Sequence, residues 1–260
     1  MAAFDISISL VSLNQLTDLK KLLPSLCSAT SLVKSEILLV DNNSSDGAFA
    51  FIRGHNPGIN ILSNTNIAGY GENHNININR SKGRYVVIMN ADMIVDLNIF
   101  KFLMRFMDQH QDVGIVAPKI LNPDGSIQGL NKQYPTFLDL FLRCFWPRTL
   151  RHFVQQRLDY YEMRDVGYDN MCDVPFLSGA FMFCRADLLK SLGGFDPGYF
   201  LYFEDADLCR RVQKTHRTVY YPGTNAVHFW ERSSHKKLNY TLMFMRSAIR
   251  YFRKWGIKIW

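Results

Sequence analysis

The sequence predicts an α/β fold, a mixed and mostly parallel central sheet flanked by helices. Three observations carry that expectation. Apolar strand-like runs alternate with helix-like stretches from residue 6 to residue 119. The run Tyr85-Val-Val-Ile-Met89 is β-branched or aromatic without polar alternation, the pattern of a strand buried on both faces. That run ends in a polar tip, Asn90-Ala91-Asp92, where open α/β sheets bind ligands. An aspartate at a strand end is also a common cap or turn residue, so the tip alone does not define a site.

Residues 6–13 form the first strand candidate, and 16–28 a helix with Leu19, Leu22, Leu23 and Leu26 at helical spacing. A second strand, 36–41, ends on Asp41 before the turn cluster Asn42-Asn-Ser-Ser-Asp-Gly47. Residues 59–63 are a short strand, 69–80 a weak, Asn-rich helix, 98–110 a helix and 113–119 a strand. Asn122-Pro-Asp-Gly125 is a hairpin turn signal. No Gly-x-Gly-x-x-Gly follows the first strand and no Walker A pattern occurs. A bound nucleotide is therefore not held by a glycine-rich phosphate cradle.

Beyond residue 134 the pattern loosens. The apolar 137–146 and the charged 148–164 read as a mobile insertion or lid, with an ordinary amphipathic core helix as the plainer alternative. Leu177-Ser-Gly-Ala180 leads into a short apolar strand, and 186–192 is helical up to Gly193-Gly194. Residues 200–212 are an aromatic approach to an acidic helix start. Two short strands follow, 218–221 and 226–229, the second with His228. In a final helix, 238–254, Leu238, Leu242, Met245, Ile249 and Phe252 form the expected apolar seam. Arg246, Arg250, Arg253 and Lys254 cluster on an adjoining face.

The 260 residues, 47% hydrophobic, can bury a substantial core. No apolar run reaches the roughly 18 residues of a spanning helix, and the N-terminus lacks a signal-peptide pattern. Five scattered cysteines without a Cys-x-x-Cys pair fit free thiols in a reducing cytoplasm better than a disulfide or zinc framework. Net charge is +7, and residues 217–260 hold nine Lys or Arg against one acid. Such a tail suits an anionic membrane surface, a phosphate-bearing ligand or nucleic acid.

Asp41, Asp92, Glu204-Asp205 and Asp207 are the acids that could carry chemistry. Acids in a first helical turn also simply suit the helix dipole, but one carboxylate there could deprotonate an attacking hydroxyl. His228 with a carboxylate nearby could complete an oxygen- and nitrogen-rich site for Mg²⁺ or Mn²⁺.

The joint order of the motifs says more. They are Val40-Asp-Asn-Asn-Ser-Ser-Asp-Gly47, Asn66-Ile-Ala-Gly-Tyr-Gly-Glu-Asn-His-Asn75, Gly83-Arg-Tyr-Val-Val-Ile-Met-Asn-Ala-Asp92, Leu177-Ser-Gly-Ala180, Gly193-Gly-Phe-Asp196, Phe200-Leu-Tyr-Phe-Glu-Asp-Ala-Asp-Leu-Cys209, and Val227-His228 with Arg232-Ser-Ser234. In this order the chain resembles the family 2 inverting glycosyltransferases of GT-A fold, above all their bacterial rhamnosyltransferase branch. The resemblance runs from about Ser7 to the end. It implies that Asp41, with Ser12 and Asn14, contacts the nucleoside. Asn66, Asn75 and Asn90 would line the nucleotide and diphosphate pocket. Asp92 and His228 would hold a divalent metal, Mg or Mn. Asp205 would be the catalytic base with Glu204 beside it, and Ser178, Gly179 and Ala180 would flank the sugar. Arg232 is added on charge alone.

Two departures from the family pattern stand out. The metal motif is usually Asp-x-Asp, and Asn90 replaces its first acid. An amide oxygen can ligate a hard cation but adds no charge. Asn-x-Asp is frequent among the rhamnosyltransferases, which implies dTDP-L-rhamnose as donor. Phe229-Trp-Glu231 stands where the family often has glycine before Arg-Ser.

The resemblance further implies a polyprenyl-diphosphate-linked or growing cell-surface glycan as acceptor, of O-antigen or lipopolysaccharide type. The site of work would be peripheral, at the cytoplasmic face of the plasma membrane, with no nucleic-acid partner. Residues 1–235 would be the GT-A domain, with 1–120 the nucleotide half, 134–172 the insertion and 173–235 the acceptor half. Residues 236–260 would be a basic amphipathic helix. Three rival readings are a transferase using a UDP-linked sugar, a sugar nucleotidyltransferase and a non-catalytic binding subunit. A nucleotidyltransferase wants a glycine-rich basic loop where Ser12-Leu-Asn-Gln-Leu-Thr17 stands.

Overall fold

Four parallel strands begin the chain: β1 (Phe4–Ser12), β2 (Ser35–Asp41), β3 (Ile59–Ser63) and β4 (Gly83–Met89). Helices α1 (Leu16–Thr30), α2 (Ala48–His55) and α3 (Tyr70–Arg80) connect them. In this computed structural model, which describes residues 2–230 and 238–259, nine strands form one sheet. After β4 come β5 (Met93–Val95), α4 (Ile99–Gln109), β6 (Val113–Leu121) and α5 (Phe137–Phe145). A 3-10 segment (Arg148–Val154), α6 (Gln155–Tyr161), β7 (Cys172–Asp173), β8 (Phe181–Arg185) and α7 (Ala186–Ser191) follow. The chain closes with α8 (Glu204–Val212), β9 (Arg217–His228) and α9 (Leu238–Trp255). The strand order is β3-β2-β1-β4-β8-β6-β9-β5, with β7 on β9. Strand β8 is antiparallel to both β4 and β6, so the sheet is mixed and mostly parallel, as expected.

The absence of polar alternation in β4 has a direct cause. Val87 and Met89 point into the core with α1 and α4, while Val86 and Ile88 point into the core with α7 and α8. Both faces are covered, and successive side chains alternate between them. The Asn-rich α3 is accounted for in another way, because the face of β1 that it covers is polar. Asn77 Nδ2 donates to Ser9 Oγ (3.0 Å) and to the carbonyls of Leu10 (3.0 Å) and Leu38 (3.2 Å). His74 Nδ1 meets Ser9 Oγ at 2.7 Å. Burial pulls the His74 pKa down to about 3, so this ring stays neutral.

Two expectations are corrected, on β9 and on α9. The two short strands 218–221 and 226–229 are one strand, β9. Its pairing with β6 skips from Tyr221 to Asn225, so the intervening residues bulge out and the ladder resumes. The insertion carries α5, the 3-10 segment and α6. The Asp139 carboxylate in the first turn of α5 is buried, and Arg157 of α6 holds it at 2.6 Å. The seam of α9 is not Leu242, Met245 and Ile249, each about half exposed. Phe244, Ser247, Tyr251 and Trp255 face the domain instead. Its basic face is half engaged: Arg250 and Lys254 pair with Asp196 at 2.8 and 2.9 Å, and Lys254 also with the buried Asp207 at 2.7 Å.

Burial alone would raise the Asp196 pKa, but Lys254, the Gly198 N–H and Arg250 outweigh it and bring it down to about 2. A carboxyl depressed on folding stabilises the fold above its ordinary value of about 4. That contribution is lost as pH falls towards 2. Hydrogen-exchange protection of α9 should decline across that window. The Asp196→Asn chain should show the weaker protection already at neutral pH.

Candidate active site

The carboxyl ends of β1 and β2 bring Ser12 opposite Asp41, both almost fully buried. Asp41 Oδ2 accepts from the Ser44 N–H (3.3 Å) and the Ser63 hydroxyl (3.2 Å). Asp41 Oδ1 and Ser12 Oγ are buried with no hydrogen-bond partner. Two unsatisfied oxygens side by side are costly without a ligand to pair them. Asn14, with φ 55°, accepts from the Ser45 N–H at 2.8 Å and donates its own N–H to Ser44 Oγ at 2.9 Å. It thereby clasps the 42–47 turn beside that niche.

Two of the expected pocket asparagines differ in their bonding. Asn66 is exposed, and among the described residues it makes no hydrogen bond. Its neighbour Asn64 is the one that joins Asn42 and Asn73. Asn75 commits both polar atoms to the Phe195 backbone, each at 2.8 Å. It pins the turn at Gly194, where φ is 68° and any Cβ would strike the Asn75 amide. That bonding gives Asn75 a structural part at this turn.

At the β4 tip, the Asn90 N–H donates to the Ala180 carbonyl at 3.0 Å. Strand β5 pairs with β9 so that Met93 sits opposite His228, and the Phe229 N–H donates to the Asp92 carbonyl. As a result, Asp92 Oδ1 lies 3.2 Å from His228 Nε2, with Asn90 Nδ2 3.3 Å from the same nitrogen. Gln128 Oε1 sits 2.6 Å from His228 Nδ1, and a carbonyl oxygen can only accept. Nδ1 therefore carries a proton, and Nε2 is turned to the carboxylate. Asp92 Oδ1 is buried without a hydrogen-bond partner. A carboxylate, an imidazole and an adjacent amide are ligands that Mg²⁺ or Mn²⁺ accepts. Among the described residues no cluster of three His, Cys, Asp or Glu forms a closed metal cage.

Across from the tip, Tyr202 and Phe203 are consecutive left-handed residues with φ 72° and 66°. Such non-glycine backbones cost about 1–3 kcal/mol each and persist where packing over-determines them. Here Phe203 is wedged against Phe244 and Tyr251 of α9. The kink delivers Glu204 and Asp205 to the first turn of α8. Asp205 Oδ2 accepts from the Gly179 N–H at 3.0 Å, and Oδ1 from the Ala206 N–H at 2.9 Å. Ser178 Oγ accepts from the Ala180 N–H at 3.3 Å. Burial, then the Asp205 charge, push the Glu204 pKa well above the carboxylate range. Burial raises Asp205 too, but the Gly179 N–H, Lys132 and the Ala206 N–H oppose it. Both carboxyls are raised as an interacting pair, and the N–H donors to Asp205 favour placing the pair's negative charge there.

Sequence reasoning missed the residue that joins the two halves. Tyr70 Oη contacts Asn90 Oδ1 at 3.1 Å and the Gly179 carbonyl at 2.8 Å. Burial, with Glu204, Asp205 and Asp92 nearby, raises its pKa well above the usual phenol value, so it remains a neutral donor. The tyrosine lies inside the motif from Asn66 to Asn75, but its contact across 109 residues leaves no local signal. Gln128, 100 residues from His228, was hidden for the same reason. Arg232 lies outside the described residues.

A strand-end niche with unpaired oxygens, an acid–imidazole pair and a buried carboxyl pair reached through Tyr70 make up the candidate site. Residues 5–243 match the family model described as glycosyltransferase like family 2, and the chain belongs to that family. It is 30% identical over 228 residues to the N-acetylglucosaminyl-diphospho-decaprenol L-rhamnosyltransferase of Mycobacterium tuberculosis, covering 81% of this chain and 71% of that one. It is 22% identical over 227 residues to the rhamnosyltransferase WbbL of Escherichia coli K12, covering 84% and 82%. Among solved structures, S. aureus TarS 1-349 in complex with UDP superposes with a TM-score of 0.61 at 15% identity. The mannosyltransferase PcManGT of Pyrobaculum calidifontis, in complex with GDP-Man and Mn²⁺, gives 0.63 at 16%. Each match covers 95% of this chain, which spans 65% and 64% of those chains. The fold is GT-A and the protein is a glycosyltransferase. That membership removes the nucleotidyltransferase reading.

The ordering of the acids has a spectroscopic consequence. An infrared titration at neutral pH should show one protonated carboxyl band that is absent from Glu204→Gln and retained in Asp205→Asn.

Proposed function

We propose that the protein transfers L-rhamnose from dTDP-L-rhamnose, with inversion, onto the sugar of a polyprenyl-diphosphate-linked glycan of the cell envelope. The observation that carries the mechanism is the Tyr70 bridge, with the Asp92–His228 pair on one side and the charged Asp205 on the other. The rhamnosyl donor and the lipid-linked acceptor are supported by the names of the two relatives and by asparagine at position 90.

Ser12 and Asp41 offer their unpaired oxygens to the nucleoside. A divalent cation held by Asp92 and His228, with Asn90 beside them, would neutralise charge on the departing nucleoside diphosphate. The Mn²⁺ in the PcManGT structure supports this choice of group. Asp205 takes the proton of the acceptor hydroxyl as that oxygen bonds to the anomeric carbon. The bond from that carbon to the donor phosphate breaks on the opposite face, through an oxocarbenium-like state. Neutral Glu204 leaves the charge on the one base. Gly179 fixes that base, and Ser178 and Ala180 flank the sugar.

Assays with dTDP-L-rhamnose against UDP- and GDP-sugars, with and without Mn²⁺, test the donor. Asp205→Asn should lower kcat by about a hundredfold or more with little change in donor KM. Asp92→Ala should abolish transfer, while Asn90→Asp should keep it and tighten metal binding. Near-parent activity of Asp205→Asn would remove the base assignment and favour a binding subunit.

We also propose peripheral attachment at the inner face of the plasma membrane. No described helix is long and apolar enough to cross a membrane. The exposed Leu242, Met245 and Ile249 of α9 form an apolar stripe, with exposed Arg246 and Arg253 beside it. That pairing suits an anionic lipid surface. Replacing the three apolar residues by serine should abolish co-sedimentation with anionic vesicles and leave the folded domain intact. Unchanged binding would sink the idea.

A further inference from the structure

One buried cation favours the charged form of Asp205 from nearby but, among the described residues, has no ion-pair partner of its own. Lys132 is only 9% exposed. Its backbone N–H and C=O pair with those of Phe176, both at 3.0 Å, and its ammonium lies 5.1 Å from the centre of the Phe176 ring. Phe176 leads directly into Leu177-Ser-Gly-Ala180, the loop whose Gly179 N–H holds Asp205. Lys132 is thus built into the wall beside the catalytic base.

The ammonium has no carboxylate within ion-pair distance among the described residues, and the acids around it are committed elsewhere. Glu162 pairs with Arg164. Both Asp205 oxygens are taken up by backbone N–H groups. The Arg143 guanidinium on α5 lies near enough to repel Lys132. Burial, then Arg143, pull the Lys132 pKa down to about 8 against the attraction of Asp205 and Glu162. A buried ammonium facing a second cation is unfavourable unless an anion enters between them.

We propose that Lys132, with Arg143, binds the diphosphate of the lipid-linked acceptor. This assignment rests on the transfer reading above. Asp205 must touch the acceptor sugar's attacking hydroxyl. The diphosphate on that sugar's anomeric carbon then lies across one pyranose ring from the base, on the side away from the donor. The donor diphosphate has its own anchor at Asp92 and His228. The helix that carries Arg143 also presents exposed Phe137 and Phe141. The Phe137 N–H donates to the Lys258 carbonyl at 2.9 Å, which brings exposed Ile257 and Ile259 alongside. An apolar chain leaving the diphosphate would find that surface.

The test compares two acceptors with the same sugar, one carried on a short prenyl diphosphate and the other on an uncharged octyl glycoside. Lys132→Met should raise KM for the diphosphate acceptor by about tenfold or more, as expected for loss of a charge-assisted contact. It should leave KM for the octyl glycoside unchanged, with the loss of its charge beside Asp205 appearing as the same fall in kcat for both acceptors. Lys132→Arg should restore most of the lost affinity. An equal rise in KM for both acceptors would overturn the assignment and make Lys132 only a support for Asp205. No effect on either acceptor would overturn it too. Calorimetric titration of decyl diphosphate in metal-free buffer reads the same site without transfer. Binding by the parent chain and not by Lys132→Met upholds the diphosphate site even where no rhamnosyl transfer is found. Equal binding by both chains rejects it.

Discussion

The antiparallel pairing of β8 with β4 places the start of one strand beside the end of the other. Met89 sits opposite Phe181, and the Asn90 N–H closes on the Ala180 carbonyl. Had β8 run parallel, Ser178 to Ala180 would lie at the far edge of the sheet. The reversal lets Tyr70 span from Asn90 to the Gly179 carbonyl with one hydroxyl. It also lets the Gly179 N–H reach Asp205. A side chain added at Gly179 would press on the Tyr70 ring and lie in contact with Asp205. The tip, the tyrosine and the base are therefore one set of contacts hung on a single strand pairing.

Charge is distributed unevenly over that set. Three carboxyls, Glu204, Asp205 and Asp92, lie near enough to Tyr70 to disfavour its ionisation. Glu204 lacks a donor for one buried oxygen, whereas Asp205 has two N–H groups that favour the negative charge there. Desolvation of one acid thus protects the basicity of its neighbour. The left-handed residues Tyr202 and Phe203 fix which of the two faces Gly179, because α8 starts only after that kink.

The alternation of strands and helices was legible because parallel strands covered on both sides have continuous apolar runs. Asp92, His228 and Asp205 could be named because their motifs are contiguous. Where the reading failed, the cause was contact at long range. Pro222 and Gly223 look like a strand end, but the ladder with β6 resumes beyond them. Leu242, Met245 and Ile249 have seam spacing, yet the face of α9 that docks is chosen by Asp196, Asp207 and the aromatic cluster around Phe203. Asn75 sits in a nucleotide motif and also serves the Phe195 backbone. Gln128 and Lys132 lie past a hairpin turn, in a stretch with no periodicity, and their partners are dozens of residues away.

The latch between α8 and α9 carries a mechanical consequence. Asp207 of α8 accepts from the Trp255 indole at 2.8 Å and meets Lys254 at 2.7 Å, so the two helices move as one body. A ligand that grips the outer face of α9 is thereby tied, through Asp207, to the helix that begins at Glu204 and Asp205.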